Sequence, residues 1–308
     1  MVGRPQASRA PSKGLAMQSF LVERHSPPPL LHQILPLSCQ LKVVDVGANP
    51  VDGEAPYAPL LAGGYAQVIG FEPSPDALAE LDRQKGPHET YLPYAVGDGG
   101  PATLRLCVRS GMNSILEPDH KVLSLFYGFS EWAQVLQRVE MPTVRLDDVP
   151  ETAGLDLLKI DIQGGELMVF QNAPQRLAEA LVIHTEVEFM PMYVGQPLFS
   201  DIDLFLRGFG FMLHRFEPLV TRDFKPLLFG VDHNLGHSQV LWADAIFVRD
   251  LTRLELMSPD QLLKTAVILH DVYRSYDVVL HLLRAYDRAS GEGFGDVYFK
   301  AVTGAQAA

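Results

Sequence analysis

Short apolar runs alternate with helical patterns along most of the chain, and this alternation constrains the fold more than any other feature. Strand-like runs at 41–47 and 67–72 are followed by a helical pattern at 75–83, for which Ser74 is the predicted N-cap. Strands that are joined by helices of this length form a mostly parallel sheet with helices on both faces. The sequence therefore predicts an α/β fold with a doubly wound, mostly parallel sheet.

The same pattern continues to residue 248 and then changes. Further strands are predicted at 89–96, 102–108, 155–161 and 181–187, and helices at 57–61, 166–172 and 201–207. Two late strands, 211–216 and 244–248, suit an antiparallel pair that is separated by a long irregular insertion at 217–239. After a capping box at Ser258 and Gln261, apolar residues at helical spacing predict one or two helices that pack on the sheet or on a partner subunit.

Composition divides the chain into three predicted regions. Residues 1–25 are basic and rich in proline, serine and glycine, which indicates a flexible leader; Met17 is a second candidate start, so residues 1–16 need not be native. Residues 26–250 form the main domain, with insertions at about 110–138 and 217–239. Residues 251–308 form a C-terminal helical extension, whose helices suit a homodimer contact.

The composition also excludes several classes of protein. The chain has 308 residues, and its 25 basic and 37 acidic side chains give a formal charge of −12, which disfavours a surface for nucleic-acid phosphates. Two cysteines are too few for a secreted disulfide framework. No apolar run reaches the roughly 18 residues of a membrane span, and the N-terminus lacks the apolar region of a signal peptide. We expect a cytoplasmic protein without a nucleic-acid partner.

Polar residues follow the predicted strands at several points, and the carboxyl ends of parallel strands meet at one edge of such a sheet. Gly47 allows a ligand to approach closely between Asp45 and Asn49, and Glu72 at the end of the second strand suits a ribose diol. A dinucleotide pyrophosphate needs free backbone N–H groups in this loop, and Pro50 removes one. S-adenosylmethionine has a ribose and an amino-acid tail but no phosphate, so it fits this loop better than a nicotinamide dinucleotide.

Six motifs in one order carry a resemblance to a known family. They are DVGAN, FEP, AVGD, RLDD, LKIDIQGGE and TEVEF, and the resemblance covers roughly residues 41 to 216. In this order and spacing they resemble the FkbM family of S-adenosylmethionine-dependent methyltransferases, and LWADAIFVRD and HDVYRSYD nearer the C-terminus are similar to a subgroup of it. The sequence departs from the family at Val51, where a glycine is common, and at Gln163, where an acidic residue is usual.

The resemblance implies a Rossmann-like methyltransferase sheet and transfer of a methyl group from S-adenosylmethionine to an acceptor oxygen. The expected acceptor is a hydroxyl of a sugar, a glycolipid or a secondary metabolite. N-methylation, carboxyl methylation and a non-catalytic binding or scaffold protein that keeps the pocket are the alternatives. An in-line displacement on an activated methyl carbon depends chiefly on position, and a base matters where the hydroxyl is unactivated.

The candidate site residues fall into three groups. The residues assigned to the cofactor are Asp45, Gly47, Ala48, Asn49, Glu72, Pro73, Asp98 and Asp161. The candidate catalytic residues are Asp161, which ends an apolar strand, and His184 and Glu186, which alternate onto one face of the strand at 181–187. The residues assigned to the acceptor are Asn113, Ser114 and Glu166.

Several of these assignments have a structural alternative. His184 can be an ordinary core histidine, Glu166 a first-turn helix residue, and Asp98 a turn residue. Lys159 lies on the same face as Asp161 and can neutralise it. The aromatic segment 126–132 forms either an apolar wall or lid of the acceptor pocket or an amphipathic helix buried in the core.

A divalent metal is considered but not favoured. Asp161, His184 and Glu186 together have suitable chemistry for a divalent cation, but no metal spacing motif stands out. The pair His233 and His237 has helical spacing, but Gly236 between them disfavours the helix that would place both on one face. We therefore assign no metal ligands.

Overall fold

A mixed sheet of seven strands carries the site, and a smaller three-stranded sheet lies in the same described part of the chain. The computed structural model describes residues 28–49, 53–228, 230, 232 and 236–304. The predicted leader, Pro50, Val51 and His233 lie outside the described residues. The strands are β1 (Leu41–Val46), β2 (Ala66–Phe71), β3 (Glu89–Leu92), β4 (Ala95–Val96), β5 (Pro101–Cys107), β6 (Val135–Val144), β7 (Leu157–Ile160), β8 (Val182–Glu188), β9 (Phe211–Arg222) and β10 (Gln239–Arg249).

The order of the larger sheet is β3-β2-β1-β7-β8-β10-β9. Strands β1, β2, β3, β7 and β8 are parallel, and β10 pairs antiparallel with both β8 and β9. The strand order reverses between β1 and β7, and ligands of doubly wound sheets bind at such a reversal. The predicted mostly parallel, doubly wound sheet with an antiparallel C-terminal strand pair is therefore confirmed.

Both faces of the larger sheet are covered. The helices are α1 (Leu31–Ile34), α2 (Ala58–Ala62), α3 (Pro75–Gln84), α4 (His120–Leu123), α5 (Phe129–Trp132), α6 (Glu166–Gln171), α7 (Pro174–Glu179), α8 (Phe199–Gly208), α9 (Pro259–Asp271), α10 (Tyr276–Ser290) and α11 (Phe294–Thr303). Val43 of β1 belongs to the core cluster with α9 and α10, while the next residue, Val44, belongs to the cluster with α6, α7 and α8. Successive side chains of a strand point to opposite faces of the sheet, so β1 contributes residues to two separate cores.

Two predicted helix starts have the expected caps. The Ser74 hydroxyl accepts a hydrogen bond from the Ala77 N–H at the start of α3. At the start of α9, the Gln261 N–H donates to Ser258 Oγ at 3.2 Å, and the Ser258 N–H donates to Gln261 Oε1 at 2.9 Å. The capping box is therefore confirmed.

The prediction of a single strand at 89–96 was wrong. The segment divides at Pro93 into β3 in the larger sheet and β4, which pairs with β6 in the smaller sheet. Proline has no N–H with which to continue a strand ladder, so the chain leaves the larger sheet there. Strand β6 itself was missed, because most of its side chains are exposed or only partly buried and its apolar pattern is weak.

The strand pair β9 and β10 is longer than predicted, and the irregular segment between the strands is shorter than 217–239. Phe216 pairs with Ala245 and Leu219 pairs with Ala243, so Glu217 and the following proline face Asp244 as a bulge. A proline is tolerated here because β9 is the edge strand of the sheet. The bulge allowed the strand to continue where the sequence pattern indicated a break.

The C-terminal helices pack on the sheet of the same chain. Buried residues of α9 and α10, such as Ile268 and Val279, share a core cluster with Leu41 and Val68 of β1 and β2. A third helix, α11, adds Tyr298 to this cluster, whereas the sequence predicted one or two helices. The homodimer contact and the predicted domain boundaries stay predictions. Across the described ranges, every helix is too short or too polar to span a bilayer.

Candidate functional site

A cavity of about 560 Å³ lies at the carboxyl ends of β1, β7 and β8, beside the reversal of the strand order. Six predicted site residues line it: Asp45, Ala48, Asn49, Asp161, His184 and Glu186. The other predicted site residues lie outside this lining: Gly47, Glu72, Pro73, Asp98, Asn113, Ser114 and Glu166. The volume is in the range of pockets that hold a small molecule or cofactor.

Three polar side chains form a row across neighbouring parallel strands. Asp45 is in register with Lys159, and Lys159 is in register with His184. Lys159 Nζ lies 3.3 Å from Asp45 Oδ1, close enough for an ion pair but without the geometry of a hydrogen bond, and it donates to the Gly47 carbonyl at 3.1 Å. The Tyr57 hydroxyl donates to Asp45 Oδ2 at 2.6 Å. Lys159 therefore pairs with Asp45, although the sequence suggested Asp161 as its partner.

Gly47 is required by the backbone that crosses it. Its φ is +84°, and a Cβ atom at this position would lie 2.1 Å from the carbonyl oxygen of Asp161. The N–H groups of Gly47 and Ala48 both donate to the Phe71 carbonyl, at 3.2 and 3.1 Å. The glycine thus brings the ends of β1 and β7 together beside the cavity.

Glu72 lies at the tip of β2, as predicted, but it does not line the cavity. Its carboxyl group is buried, and Oε1 accepts a hydrogen bond from the Ser74 N–H at 2.7 Å. Burial raises the pKa of Glu72, and the Ser74 hydrogen bond opposes this shift. Pro73 follows and is exposed, and Asp98 Oδ1 accepts from the Gly100 N–H in an exposed turn. Their cofactor roles stay predictions.

Gln163 joins two candidate catalytic carboxyl groups. Its Nε2 donates to Glu186 Oε2 at 2.7 Å and to Asp161 Oδ1 at 3.0 Å. The Tyr193 hydroxyl donates to Gln163 Oε1 at 3.3 Å, and Gln163 has a φ of +57°. A positive φ is costly for a residue other than glycine and is often found at functional sites. The sequence signal was the departure from the family at this position, which put in doubt a metal or base role for a carboxylate there and did not predict a bridging amide.

Burial and neighbouring carboxylates raise the pKa of several acids in this region. Burial raises the pKa of Glu186 well above its usual range, and Asp161 and Glu188 raise it further. Glu188 is buried without a hydrogen bond to its carboxyl oxygens within the described residues, and burial raises its pKa as well. Burial therefore favours the protonated form of Glu186 where it lines the cavity.

Glu166 supports the loop after β7. Its Oε1 accepts from the N–H groups of Ile162 and Gly164, at 2.9 and 3.2 Å. Burial raises its pKa to about 7. These contacts place Glu166 beneath the loop and correspond to the first-turn helix residue considered as the alternative; they do not place it against an acceptor.

The segment around Asn113 reaches the cavity through other residues than those predicted. Asn113 Oδ1 accepts from the Cys107 N–H at 2.8 Å, and Ser114 Oγ donates to the Gln163 carbonyl at 2.7 Å. Both side chains hold the local backbone. The preceding residues, Gly111 and Met112, line the cavity instead.

Part of the cavity lining is an apolar wall. It is formed by Met112, Phe129, Met192 and Trp242, and the Phe129 and Trp242 rings lie 6.1 Å apart at an angle of 72°. The Arg222 guanidinium lies 5.1 Å from the Trp242 ring centre. Phe129 is also buried in a core cluster, so both roles considered for the segment 126–132 apply to this residue.

His184 contacts two groups through opposite ring nitrogens. Nδ1 lies 3.1 Å from the Tyr273 hydroxyl, and Nε2 lies 3.3 Å from Asp244 Oδ2. Asp244 lines the cavity and was not among the predicted residues.

Among the residues that the structure describes, no group of three side chains is arranged to hold a metal ion. The backbone N–H of His237 donates a hydrogen bond to Asp223 Oδ1 at 2.9 Å.

Known proteins are similar to this chain in sequence and in structure. The 2-O-methyltransferase NoeI of Sinorhizobium fredii is 29% identical over 181 residues, which cover 53% of this chain and 70% of that protein. A SAM-dependent methyltransferase structure from Aquifex aeolicus has 10% identity and a TM-score of 0.31, covering 71% of this chain and 87% of that one. The structure of an antibiotic-related methyltransferase has 13% identity and a TM-score of 0.33, covering 71% and 92%.

The family comparison bears directly on the six motifs. The family model described as the methyltransferase FkbM domain matches residues 45–213, which span the chain from the end of β1 into β9. This match covers more than half of the chain and includes the cavity residues of β1, β7 and β8, whereas Glu217, Pro218, Trp242 and Asp244 of β9 and β10 lie after it. The chain therefore belongs to the FkbM methyltransferase family.

Proposed function

We propose that the protein is an S-adenosylmethionine-dependent O-methyltransferase that acts on an uncharged hydroxyl of a sugar, a glycolipid or a secondary metabolite. The observation that carries this proposal is the charge of the cavity. Among the described residues, one lysine, Lys159, and one histidine, His184, line it against six acidic side chains: Asp45, Glu54, Asp161, Glu186, Glu217 and Asp244. This lining suits a cationic donor and a neutral acceptor.

The residues at the β1 end of the cavity fit S-adenosylmethionine. When bound, this cofactor supplies a methyl carbon made electrophilic by a sulfonium. Asp45 Oδ1 is buried beside the Lys159 ammonium at 3.3 Å, and a carboxylate oxygen can accept a further hydrogen bond from the ammonium group of the cofactor. In the described part of the chain, Glu72 accepts a hydrogen bond through Oε1 only. Its other oxygen, Oε2, can therefore accept a hydrogen bond from a ribose hydroxyl. Asn49 and Gly47 would border the amino-acid tail.

The acidic lining argues against the two alternative acceptors. A carboxylate or phosphate would be repelled by the carboxylates of Asp161 and Asp244, which both line the cavity. An amine would be held in its protonated form by the same groups, and a protonated amine has no electron pair for the methyl carbon. A neutral hydroxyl has neither disadvantage. The relative NoeI is a 2-O-methyltransferase, which agrees with this preference.

A sugar suits both the aromatic and the acidic residues of the cavity. The C–H face of a sugar can lie on the apolar rings of Trp242 and Phe129. The carboxyl groups of the lining can accept hydrogen bonds from its hydroxyls. The row from Asp45 to His184 would hold donor and acceptor side by side along the edge of the sheet. Position alone can supply much of the acceleration of an in-line methyl transfer.

The proposal is tested in two steps on the full chain. Calorimetry measures binding of S-adenosylmethionine and of its demethylated product, S-adenosylhomocysteine. Transfer of a radiolabelled methyl group is then measured for a panel of neutral sugars, glycolipids, carboxylic acids and amines. We expect binding of both compounds and transfer to hydroxyl compounds alone. Binding without transfer to any class favours the scaffold alternative, and transfer to acids or amines contradicts the O-methylation proposal.

A further inference from the structure

The C-terminal segment that follows α9 reaches the candidate site through Tyr273. The Tyr273 hydroxyl lies 3.1 Å from His184 Nδ1, and the exposed fractions of these two residues are only 1% and 7%. On the other side of the ring, His184 Nε2 lies 3.3 Å from Asp244 Oδ2. The Asp244 side chain is 35% exposed and lines the cavity. A chain of three polar groups therefore runs from the buried core to the cavity.

The chemistry of the three groups determines the direction of their hydrogen bonds. An ionised Asp244 carboxylate has no proton to donate, so Nε2 of His184 carries the proton that faces it. Nδ1 of a neutral ring is then an acceptor, and the Tyr273 hydroxyl is the donor. Burial raises the pKa of Tyr273 far above neutrality, and the Asp244 carboxylate adds to this shift, so the hydroxyl keeps its proton.

Tyr273 is held rigidly in its turn. The next residue, Arg274, has a φ of +54°, and its N–H donates to the His270 carbonyl at 3.2 Å. The Ser275 N–H donates to the Leu269 carbonyl, and Ser275 Oγ lies 2.7 Å from His214 Nε2. A strained backbone that neighbouring bonds fix in this way fits a residue whose side-chain position matters.

Other charged groups face the His184–Asp244 pair from neighbouring strands. Lys159 of β7 is in register with His184, and Glu186 of β8 is in register with Asp244. The bulge residue Glu217 of β9 also lines the cavity. Among these carboxyl groups, Asp244 is the one that lies against the His184 ring, with Oδ2 3.3 Å from Nε2.

We propose that Asp244 is the catalytic base and that Tyr273 is the positioning residue that fixes His184 behind it; this inference rests on the proposed function. The acceptor oxygen forms a bond to the methyl carbon, its proton moves to Asp244 Oδ1, and the electron pair of the broken carbon–sulfur bond stays on sulfur. His184 donates its Nε2 proton to Oδ2 and so holds the carboxylate in place. The C-terminal segment is thereby part of the catalytic site.

The first test uses nitrogen NMR of the full chain labelled at histidine, and it requires no acceptor. Ten histidines are present, and His184→Gln assigns the His184 signals. We expect a neutral ring with the proton on Nε2. Tyr273→Phe removes one oxygen and should increase the form with the proton on Nδ1, while Tyr276→Phe, in the same segment, should leave the His184 signals unchanged. An unchanged tautomer in Tyr273→Phe overturns the positioning role.

The second test measures methyl transfer against pH with a hydroxyl acceptor from the panel. Asp244→Asn should lower kcat about 100-fold and remove the loss of rate toward acid, with KM for S-adenosylmethionine unchanged. Tyr273→Phe should lower kcat about tenfold, the effect of one lost hydrogen bond. An Asp244→Asn enzyme with the rate and pH profile of the wild type overturns this inference alone. A wild-type chain that binds no cofactor overturns the proposed function, whereas the tautomer result stands on its own.

Discussion

The Gln163 side-chain amide donates a hydrogen bond to Glu186 at 2.7 Å, and the same nitrogen donates to Asp161 at 3.0 Å. A third acid at this position would add a charge where burial and Asp161 already raise the pKa of Glu186. An amide removes that repulsion and supplies a donor to both groups. The departure from the family at Gln163 therefore has a physical reason in this chain.

Gln163→Glu is expected to destabilise the protein by about 1–3 kcal/mol at pH 7, because a partly buried donor is replaced by another carboxyl group. The deficit should shrink as the pH is lowered to 5, because the neighbouring acids favour the protonated form of the introduced carboxyl group. Urea unfolding at both pH values measures this. Gln163→Met removes the donor without adding charge and should give a deficit that varies less with pH. A Gln163→Glu protein as stable as the wild type at pH 7 would contradict the bridging role.

Glu166 predicts a pH dependence of stability. Its pKa is raised from 4.5 to about 7 by burial, so the folded chain binds more protons than the unfolded chain between these values. Stability then falls as pH rises through this window, by at most about 3 kcal/mol. Glu166→Gln keeps an oxygen acceptor for the Ile162 and Gly164 N–H groups but cannot titrate. Its unfolding free energy, measured from pH 4.5 to 8, should lack this decline, and a parallel decline in both proteins would show that other groups cause it.

The β1 end of the cavity could be predicted from local sequence. Asp45, Gly47 and Asn49 follow directly on an apolar run, and the end of a strand at the carboxyl edge of a parallel sheet places such residues together. The apolar runs of β1, β7 and β8 are buried on both faces, so their strand character was clear from composition.

The β10 side of the cavity depended on contacts between distant parts of the chain. Asp244 lines the cavity because antiparallel pairing of β10 with β8 places it opposite Glu186, while the bulge at Glu217 faces it from β9. Tyr273 has the spacing of a core residue of a helix, and only the fold brings its hydroxyl to His184, 89 residues earlier in the chain. Neither pairing leaves a periodic signal in the sequence.

Gly47→Ala is expected to abolish cofactor binding and to destabilise the fold by at least about 3 kcal/mol. The added Cβ would lie 2.1 Å from the Asp161 carbonyl oxygen, and the backbone has a φ of +84°. Gly64→Ala separates these two causes, because Gly64 has a φ of +76° but no atom within 4 Å of an added Cβ. The control should lose only about 1–2 kcal/mol. Equal losses for both variants, by urea unfolding, would show that the close approach to Asp161 has no energetic weight.

Lys159→Met is expected to cost about 3–5 kcal/mol, because it leaves the buried Asp45 carboxylate without its ion pair. Burial lowers the pKa of Lys159, but Asp45 and then Asp161 raise it above its usual value, so the lysine is charged. Asp45→Asn in the Lys159→Met background should recover part of the stability by removing the unpaired charge. A double-mutant cycle measured by urea unfolding gives the coupling of the pair. Additive losses in the cycle would show that the two side chains act independently.

Glu72→Gln is expected to raise the Kd for S-adenosylmethionine about 10- to 100-fold, the loss of a charge-assisted hydrogen bond to a ribose hydroxyl. Glu80→Gln, on the exposed face of α3, is the matched control and should bind as the wild type does. Since burial raises the pKa of Glu72, acidification protonates this carboxylate sooner than an exposed one, and wild-type affinity should fall toward acid. The Gln variant has no such proton to gain, so its calorimetric Kd should vary less with pH. Equal Kd values for the wild type and Glu72→Gln across this range would remove Glu72 from the cofactor site and shift the ribose to another part of the cavity edge.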